Sequence, residues 1–182
     1  IKDFISENYV QITQNFEPTD SLSTLTLAQG GQVNDRVNLY LAGHDKSDFK
    51  AITRVKSRGN TLENAENNAA KVSYAIVQEG NEIIFARDIN LNRTPYRFQE
   101  AEITLYIPFG LPFKINADLG KILRNTLYPS GYNTSDLNGN KWIFDLNELN
   151  CITCDLPAPD TPTSPNIEDS TPREPIVQSR PT

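Results

Sequence analysis

The feature that most constrains the fold is a regular alternation of apolar and polar side chains in residues 101–107. The apolar positions are Ala101, Ile103, Leu105 and Ile107. A period of two predicts a half-buried β-strand, because successive side chains of a strand point to opposite faces. Pro108 lacks a backbone donor and Gly110 tolerates positive φ, so the strand should end there in a turn. We expect this strand to form the centre of the core.

Several other short apolar segments have strand character and are separated by turn residues. They are residues 22–27, 37–42, 49–55, 72–78, 82–87 and 141–145. Gly80 marks a tight hairpin turn, and Asn138-Gly139 predicts that a hairpin begins before the last segment. Short strands between turns are typical of sandwiches, barrels and solenoids, rather than of alternating strands and helices. The sequence therefore predicts a mainly β, stacked β-solenoid or sandwich-like single domain.

Two short segments have helical rather than strand spacing. Asn60 can cap a helix, and Glu63 follows it in capping-box register, which predicts a helix over residues 61–71. A second short helix is predicted over residues 119–127, behind Asp118 as its cap.

The composition divides the chain into three parts. Residues 1–20 are expected to be a juxtamembrane connector that could lead into a first strand, and residues 21–154 the folded domain. Residues 155–182 hold seven of the 12 prolines and no aromatic residue. Such a segment cannot bury enough apolar surface to offset its ordering entropy, so we expect a disordered proline-rich tail.

Charge and chain ends limit the classes of partner. A formal net charge of -6 argues against binding to nucleic acid. No apolar run approaches the roughly 18 residues of a membrane span. The chain starts at Ile1 and contains no methionine, so we expect a fragment, a processed form or an excised piece of a longer protein. If that protein is membrane-bound, its anchor lies upstream. If a membrane span ends just before Ile1, residues 1–11 lack the Lys/Arg excess of a cytoplasmic flank, which favours an extracytoplasmic domain.

A stripe of basic residues is the main candidate binding site. Its members are Lys50, Arg54, Lys56 and Arg58. Their even positions place them on one face of a predicted strand, where they could bind lipid head groups, acidic glycans or an acidic protein. The alternative is a solvated outer face, or one neutralised by helix acids such as Glu63 or Glu66.

The only cysteines are Cys151 and Cys154, in a Cys-x-x-Cys sequence. A structural zinc site would need a second pair of ligands, and a redox motif would normally begin a helix. The spacing favours two plain thiols at the end of the fold and leaves a reversible or intermolecular disulfide open.

No catalytic, metal-binding or cofactor-binding set is recognisable. His44 is the only histidine, and the surrounding sequence resembles a turn rather than three converging metal ligands. We therefore expect a binding module rather than an enzyme, with no cofactor.

Several motifs occur in an order that resembles the C-terminal toast-rack region of the phage-shock-protein-C (PspC) family. The resemblance spans residues 20–154 and rests on Ser57-Arg58-Gly59-Asn60-Thr61, residues 98–102 and 105–110, residues 119–127, residues 139–144, and Cys151-Ile152-Thr153-Cys154. It implies a stacked, single-sheet-path β-solenoid with a small helix. It also implies a sensing or interaction domain in envelope stress, tethered to the membrane, whose partner is a protein or an envelope component. A related alternative is a secreted or surface adhesin-like binding protein of similar build.

Overall fold

The computed structural model describes residues 6–146 and 148–154, and these form two β-sheets with one α-helix. The strands are β1 (Ser6–Phe16), β2 (Ser23–Leu27), β3 (Val37–His44), β4 (Phe49–Gly59), β5 (Ile76–Glu79), β6 (Glu82–Phe85), β7 (Glu100–Pro108), β8 (Phe113–Ile115), β9 (Lys141–Asp145) and β10 (Glu148–Cys151). The helix α1 spans Leu62–Ala70. The mainly β prediction is confirmed. The predicted tail, residues 155–182, lies outside the described residues.

The four-stranded sheet has the order β1-β4-β7-β3. Strand β7 is the alternating stretch that begins at Ala101, and it pairs antiparallel with β4 and parallel with β3. Its inward-facing residues Ile103, Leu105 and Ile107 are fully buried. The prediction that this strand is central is therefore confirmed.

The six-stranded sheet, of order β10-β9-β8-β2-β6-β5, shows how the strands stack. The chain passes three times from this sheet to the other: from β2 to β3, from β6 to β7, and from β8 to a single bridge at Leu123. Strand β2 lies between β6 and β8, parallel to both, and β3 lies between β7 and the bridge from Leu39 to Leu123. The three passes thus have the same order in both sheets, as stacked coils do. The path uses two sheets rather than one, and its first coil lies in the middle of the stack.

The core fills the space between the two sheets. Its largest fully buried side chains include Trp142, Phe49, Phe85 and Phe113. The rings of Phe113 and Phe144 stack at 6.1 Å between centroids. Because large aromatic side chains of both sheets meet here, the domain has one continuous hydrophobic core.

Helix α1 lies where it was predicted, but its cap differs. The side chain of Thr61, not Asn60, accepts the hydrogen bond from the backbone N–H of Asn64. The helix packs over the end of β4, where a Cβ on Gly59 would stand 2.5 Å from the backbone nitrogen of Ala65. Glycine therefore permits the close approach of the helix to the strand.

Three other expectations need correction. The second predicted helix is only a 3-10 helix, Ala117–Lys121, because the residues after it bridge to β3 instead. The last hairpin joins β9 to β10 and turns at Leu146, rather than beginning at Asn138. Residues 6–16, expected as part of a connector, pair with β4 over their full length as strand β1.

Candidate binding face

The four predicted cations share the outer face of the four-stranded sheet. Inward residues of β4, from Phe49 to Gly59, are buried, and the residues between them face solvent to varying degrees. Period two thus places Lys50, Arg54, Lys56 and Arg58 together, as the sequence indicated. What they contact decides whether they form an anion-binding stripe.

Lys56 is engaged by two carboxylates of the neighbouring strand β7. Its Nζ lies 3.5 Å from a carboxylate oxygen of Glu100 and 3.5 Å from one of Glu102. Partial burial alone would lower the pKa of Lys56, but the charges of Glu102 and Glu100 outweigh it, and the pKa is raised. The ammonium group is therefore held in its charged form.

The two arginines are also occupied. Arg58 Nε donates to Glu7 of β1 at 3.2 Å, and Arg54 Nε donates to the Gln11 side chain at 3.3 Å. Among the described residues, Lys50 has no salt bridge. The four cations thus face three carboxylates, which leaves little excess positive charge to attract an anionic surface. The neutralising acids come from β1 and β7, not from the helix residues Glu63 and Glu66.

Sequence reasoning missed a row of arginine–aromatic pairs on the same face. Arg54 lies over the Tyr9 ring at 5.0 Å, Arg58 over the Phe98 ring at 4.6 Å, and Arg36 over the Tyr96 ring at 4.9 Å. The exposed fraction is 42% for Tyr9 and 46% for both Tyr96 and Phe98. Tyr96 and Phe98 contact each other at 5.5 Å, which joins two of the pairs. The available signal in the sequence was the aromatic pair Tyr96 and Phe98, which alternates with polar residues just before β7.

A shallow groove of about 240 Å³ lies beside these pairs. It is lined by Gln11, Ile52, Arg54, Glu102, Thr104 and Tyr106. Because the lining carries one cation, one carboxylate and several neutral polar groups, it suits a polar segment of a protein better than a purely anionic ligand.

The two cysteines form a disulfide at the end of β10. The Cα atoms of Cys151 and Cys154 are 5.5 Å apart. Cys151 is the cross-strand partner of Trp142, and its backbone N–H donates to the Tyr132 hydroxyl at 3.0 Å. The prediction of two plain thiols is therefore wrong: the two cysteines are bonded to each other within one chain.

Few groups in the described part of the chain have a perturbed pKa. Apart from Lys56, a resolved shift occurs only at Tyr74, where burial raises the pKa and the hydroxyl donates to the Ala86 carbonyl at 2.7 Å. Lys56 lies on β4 and Tyr74 in the segment between α1 and β5, and the two groups do not form an acid–base pair. No cluster of three or more His, Cys, Asp or Glu side chains suited to a metal ion occurs within residues 6–146 and 148–154.

Comparison with protein families identifies the domain. A family model described as a toast-rack found in some PspC proteins matches residues 28–158. The chain belongs to this family. The toast-rack domain is a β-fold, in agreement with the two sheets described above. Comparisons with curated proteins and with solved structures give no significant match. None of the helices that the structure describes has the length and hydropathy needed to span a membrane.

Proposed function

We propose that this toast-rack domain is a non-catalytic sensing or interaction domain of a membrane-anchored, phage-shock-type protein of the envelope stress response. It binds a protein partner through the outer face of the four-stranded sheet. Family membership supports the stress-response role.

The observation that carries the proposal is the row of exposed arginine–aromatic pairs. Arginine and aromatic residues are enriched at the centres of protein interfaces, where rigid rings bury large areas at little entropic cost. Each guanidinium here already lies over a ring, so Tyr9, Phe98 and Tyr96 are presented in ordered positions. A partner therefore meets a face that is largely preorganised.

The charge pattern favours a protein over an anionic membrane. An exposed cation contributes about 1 kcal/mol near an anionic surface only where its charge is available. Lys56 and Arg58 are already paired with carboxylates of the same face. Lys50 and Arg54 remain, which is too few for the polybasic clusters that bind lipid surfaces.

The disulfide supports an extracytoplasmic location for the domain. Disulfides persist in oxidising compartments such as the bacterial periplasm and are rare in the cytosol. Cys151 and Cys154 are bonded to each other, which favours such an oxidising compartment. A topology map of the full-length protein, made with reporter fusions after residue 154, should therefore report the extracytoplasmic side. A cytosolic signal would contradict this location.

Site-specific photo-crosslinking in cells that express the full-length parent protein tests the binding face. A photoreactive phenylalanine analogue replaces Tyr9 or Phe98, and the control position is Tyr128, which is 79% exposed and lies outside both sheets. We expect one protein to be captured from both test positions, not from Tyr128, and less of it in an Arg54→Ser background. Equal capture at all three positions would contradict the proposal.

A vesicle experiment separates this proposal from lipid binding. The purified chain is sedimented with phosphatidylglycerol vesicles and with neutral phosphatidylcholine vesicles at low and high salt. We expect no salt-dependent preference for the anionic vesicles. A preference that is lost on changing Lys50, Arg54 and Lys56 to serine would show instead that the basic stripe binds lipid.

A further inference from the structure

Strand β1 is a long edge strand without the devices that usually protect such edges. It pairs with β4 over all eleven residues, Ser6–Phe16, with continuous register and no bulge. Among the described residues, no backbone hydrogen bond reaches its other edge. Natural edge strands are commonly interrupted by lysine, proline or a bulge, and residues 6–16 contain none of these. The backbone N–H of Tyr9 donates to the Asn8 side-chain oxygen at 2.9 Å. The rest of the edge offers its backbone donors and acceptors to a further strand.

One apolar side chain on the inward face of β1 is exposed to solvent. Residues of β1 that pair with buried positions of β4 face inward, and these include Val10 opposite Val55 and Ile12 opposite Thr53. Ile12 is nevertheless 48% exposed, because its own domain does not cover it. An inward-facing apolar residue at a sheet edge gains cover when the sheet is extended by another strand.

We propose that β1 pairs antiparallel with β1 of a second copy of this chain, about a two-fold axis at Gln11. This register pairs Ser6 with Phe16 and so uses all eleven residues of both strands. It keeps inward residues opposite inward residues, as a sheet requires. Val10 of each copy then lies opposite Ile12 of the other, which covers the exposed side chain twice.

Charge is compatible with this self-pairing. The only charged side chain among residues 6–16 is Glu7, which is already bridged to Arg58. In the proposed register Glu7 lies opposite Asn15 of the partner copy, so like charges do not meet.

The flanks of the edge are also complementary under the two-fold axis. The Asn8 side chain donates to the carbonyl of Leu62 at 3.2 Å, and the Gln14 side chain donates to the carbonyl of Ile76 at 3.4 Å. Asn8 of one copy pairs with Gln14 of the other, which brings the Leu62 end of one copy to the Ile76 end of its partner. Leu62 is 62% exposed, and Val77, next to Ile76, is 46% exposed. Exposed apolar residues thus flank the joined strands on both sides.

The product is one continuous eight-stranded sheet made of two four-stranded sheets. Its outer face carries two symmetric copies of the arginine–aromatic row. The pairing of the two copies depends only on β1 and its flanks. It can therefore be tested separately from the proposed binding of a partner to the outer face.

Solution mass measurements on the full chain provide the first test, by sedimentation equilibrium over a concentration series. We expect a dimer that is weakened about tenfold or more by Ile12→Lys, because a buried apolar contact is lost twice and two charges are brought together. The matched control is Ile152→Lys, at an isoleucine that is 46% exposed near the far end of the other sheet. It should dimerise like the wild type. A wild-type monomer at about 1 mM, or equal dimerisation by the wild type and Ile12→Lys, would overturn the proposal.

Cysteine cross-linking tests the register and remains informative if Ile12→Lys fails to fold. Gln11→Cys places two thiols opposite each other across the axis, within the Cα separation that a disulfide spans. Asn15→Cys places its two thiols about 27 Å apart, since eight strand positions separate them. We expect a cross-linked dimer from the first variant only. No cross-link from Gln11→Cys, or equal cross-linking by both variants, would refute this register and with it the proposal.

Discussion

Replacing Cys151 and Cys154 with serine should destabilise the domain by a small, calculable amount. The disulfide closes a loop of four residues, with a sequence separation of 3. The loop-entropy relation gives a stabilisation of about 2 kcal/mol for a loop this short. Hydrogen bonds that do not involve sulfur also hold the loop: the backbone N–H of Ile152 donates to the Lys141 carbonyl at 2.7 Å. Replacing both cysteines should therefore lower the free energy of unfolding only by this loop-entropy contribution.

Urea unfolding followed by tryptophan fluorescence measures this loss directly. Trp142 is the only tryptophan, is fully buried and pairs across the strands with Cys151, so its emission reports on this part of the core. With a slope of about 2 kcal/mol per molar urea, the midpoint should fall by about 1 M while the slope is unchanged.

The control is reductant, which should lower the midpoint of the wild type and leave that of the double serine variant unchanged. An unchanged midpoint after verified reduction would refute the loop-entropy reasoning. A loss of about 5 kcal/mol would also refute it, because the disulfide would then hold structure beyond its own loop.

Three further substitutions test other parts of the structure. Gly59→Ala should cost about 1–3 kcal/mol in thermal or urea unfolding, because the new Cβ would stand 2.5 Å from the backbone nitrogen of Ala65. Above about pH 10 the unfolded chain loses the proton of Tyr74 while the folded state keeps it, so stability should fall by up to about 1.4 kcal/mol per pH unit. Tyr74→Phe should remove that slope from urea titrations, and Tyr128→Phe, at an exposed ring, should not. Lys56→Met should cost less than about 1 kcal/mol, and this cost should shrink in high salt, because Lys56 and its carboxylate partners are partly exposed to solvent.

Local patterns predicted those features that depend on neighbouring residues. The alternation that begins at Ala101 gave the central strand, and the even spacing from Lys50 to Arg58 gave a shared outer face. The pairing of Lys56 with Glu100 could not be predicted, because it depends on which distant strand lies beside β4. The prediction of a second helix over residues 119–127 was wrong for a similar reason. Leu123 fits helical spacing, but its backbone bridges to Leu39 of β3.

The arginine–aromatic row could not be predicted either, because it also depends on pairing between strands that are far apart in the sequence. Tyr9 comes from β1, Phe98 from the segment before β7, and the arginines over them from β4. In sequence these rings stand far from their cations. Period two gives the face on which each residue lies, but only the strand order brings them together.

The central places of β2 and β7 have a consequence for the order in which the chain can fold. Strand β3 is made before β4, but β7 lies between them in the sheet, so the two cannot close as a local hairpin. Val37 pairs with Ala101, and Ser23 pairs with Phe113. Chains dominated by such distant pairings fold slowly, in milliseconds to seconds. A chain emerging from the ribosome or a translocation channel therefore holds the edge of β3 open until β7 has emerged, and the edge of β8 open until β9 has emerged. We expect this interval to be its period of greatest exposure to aggregation and proteolysis.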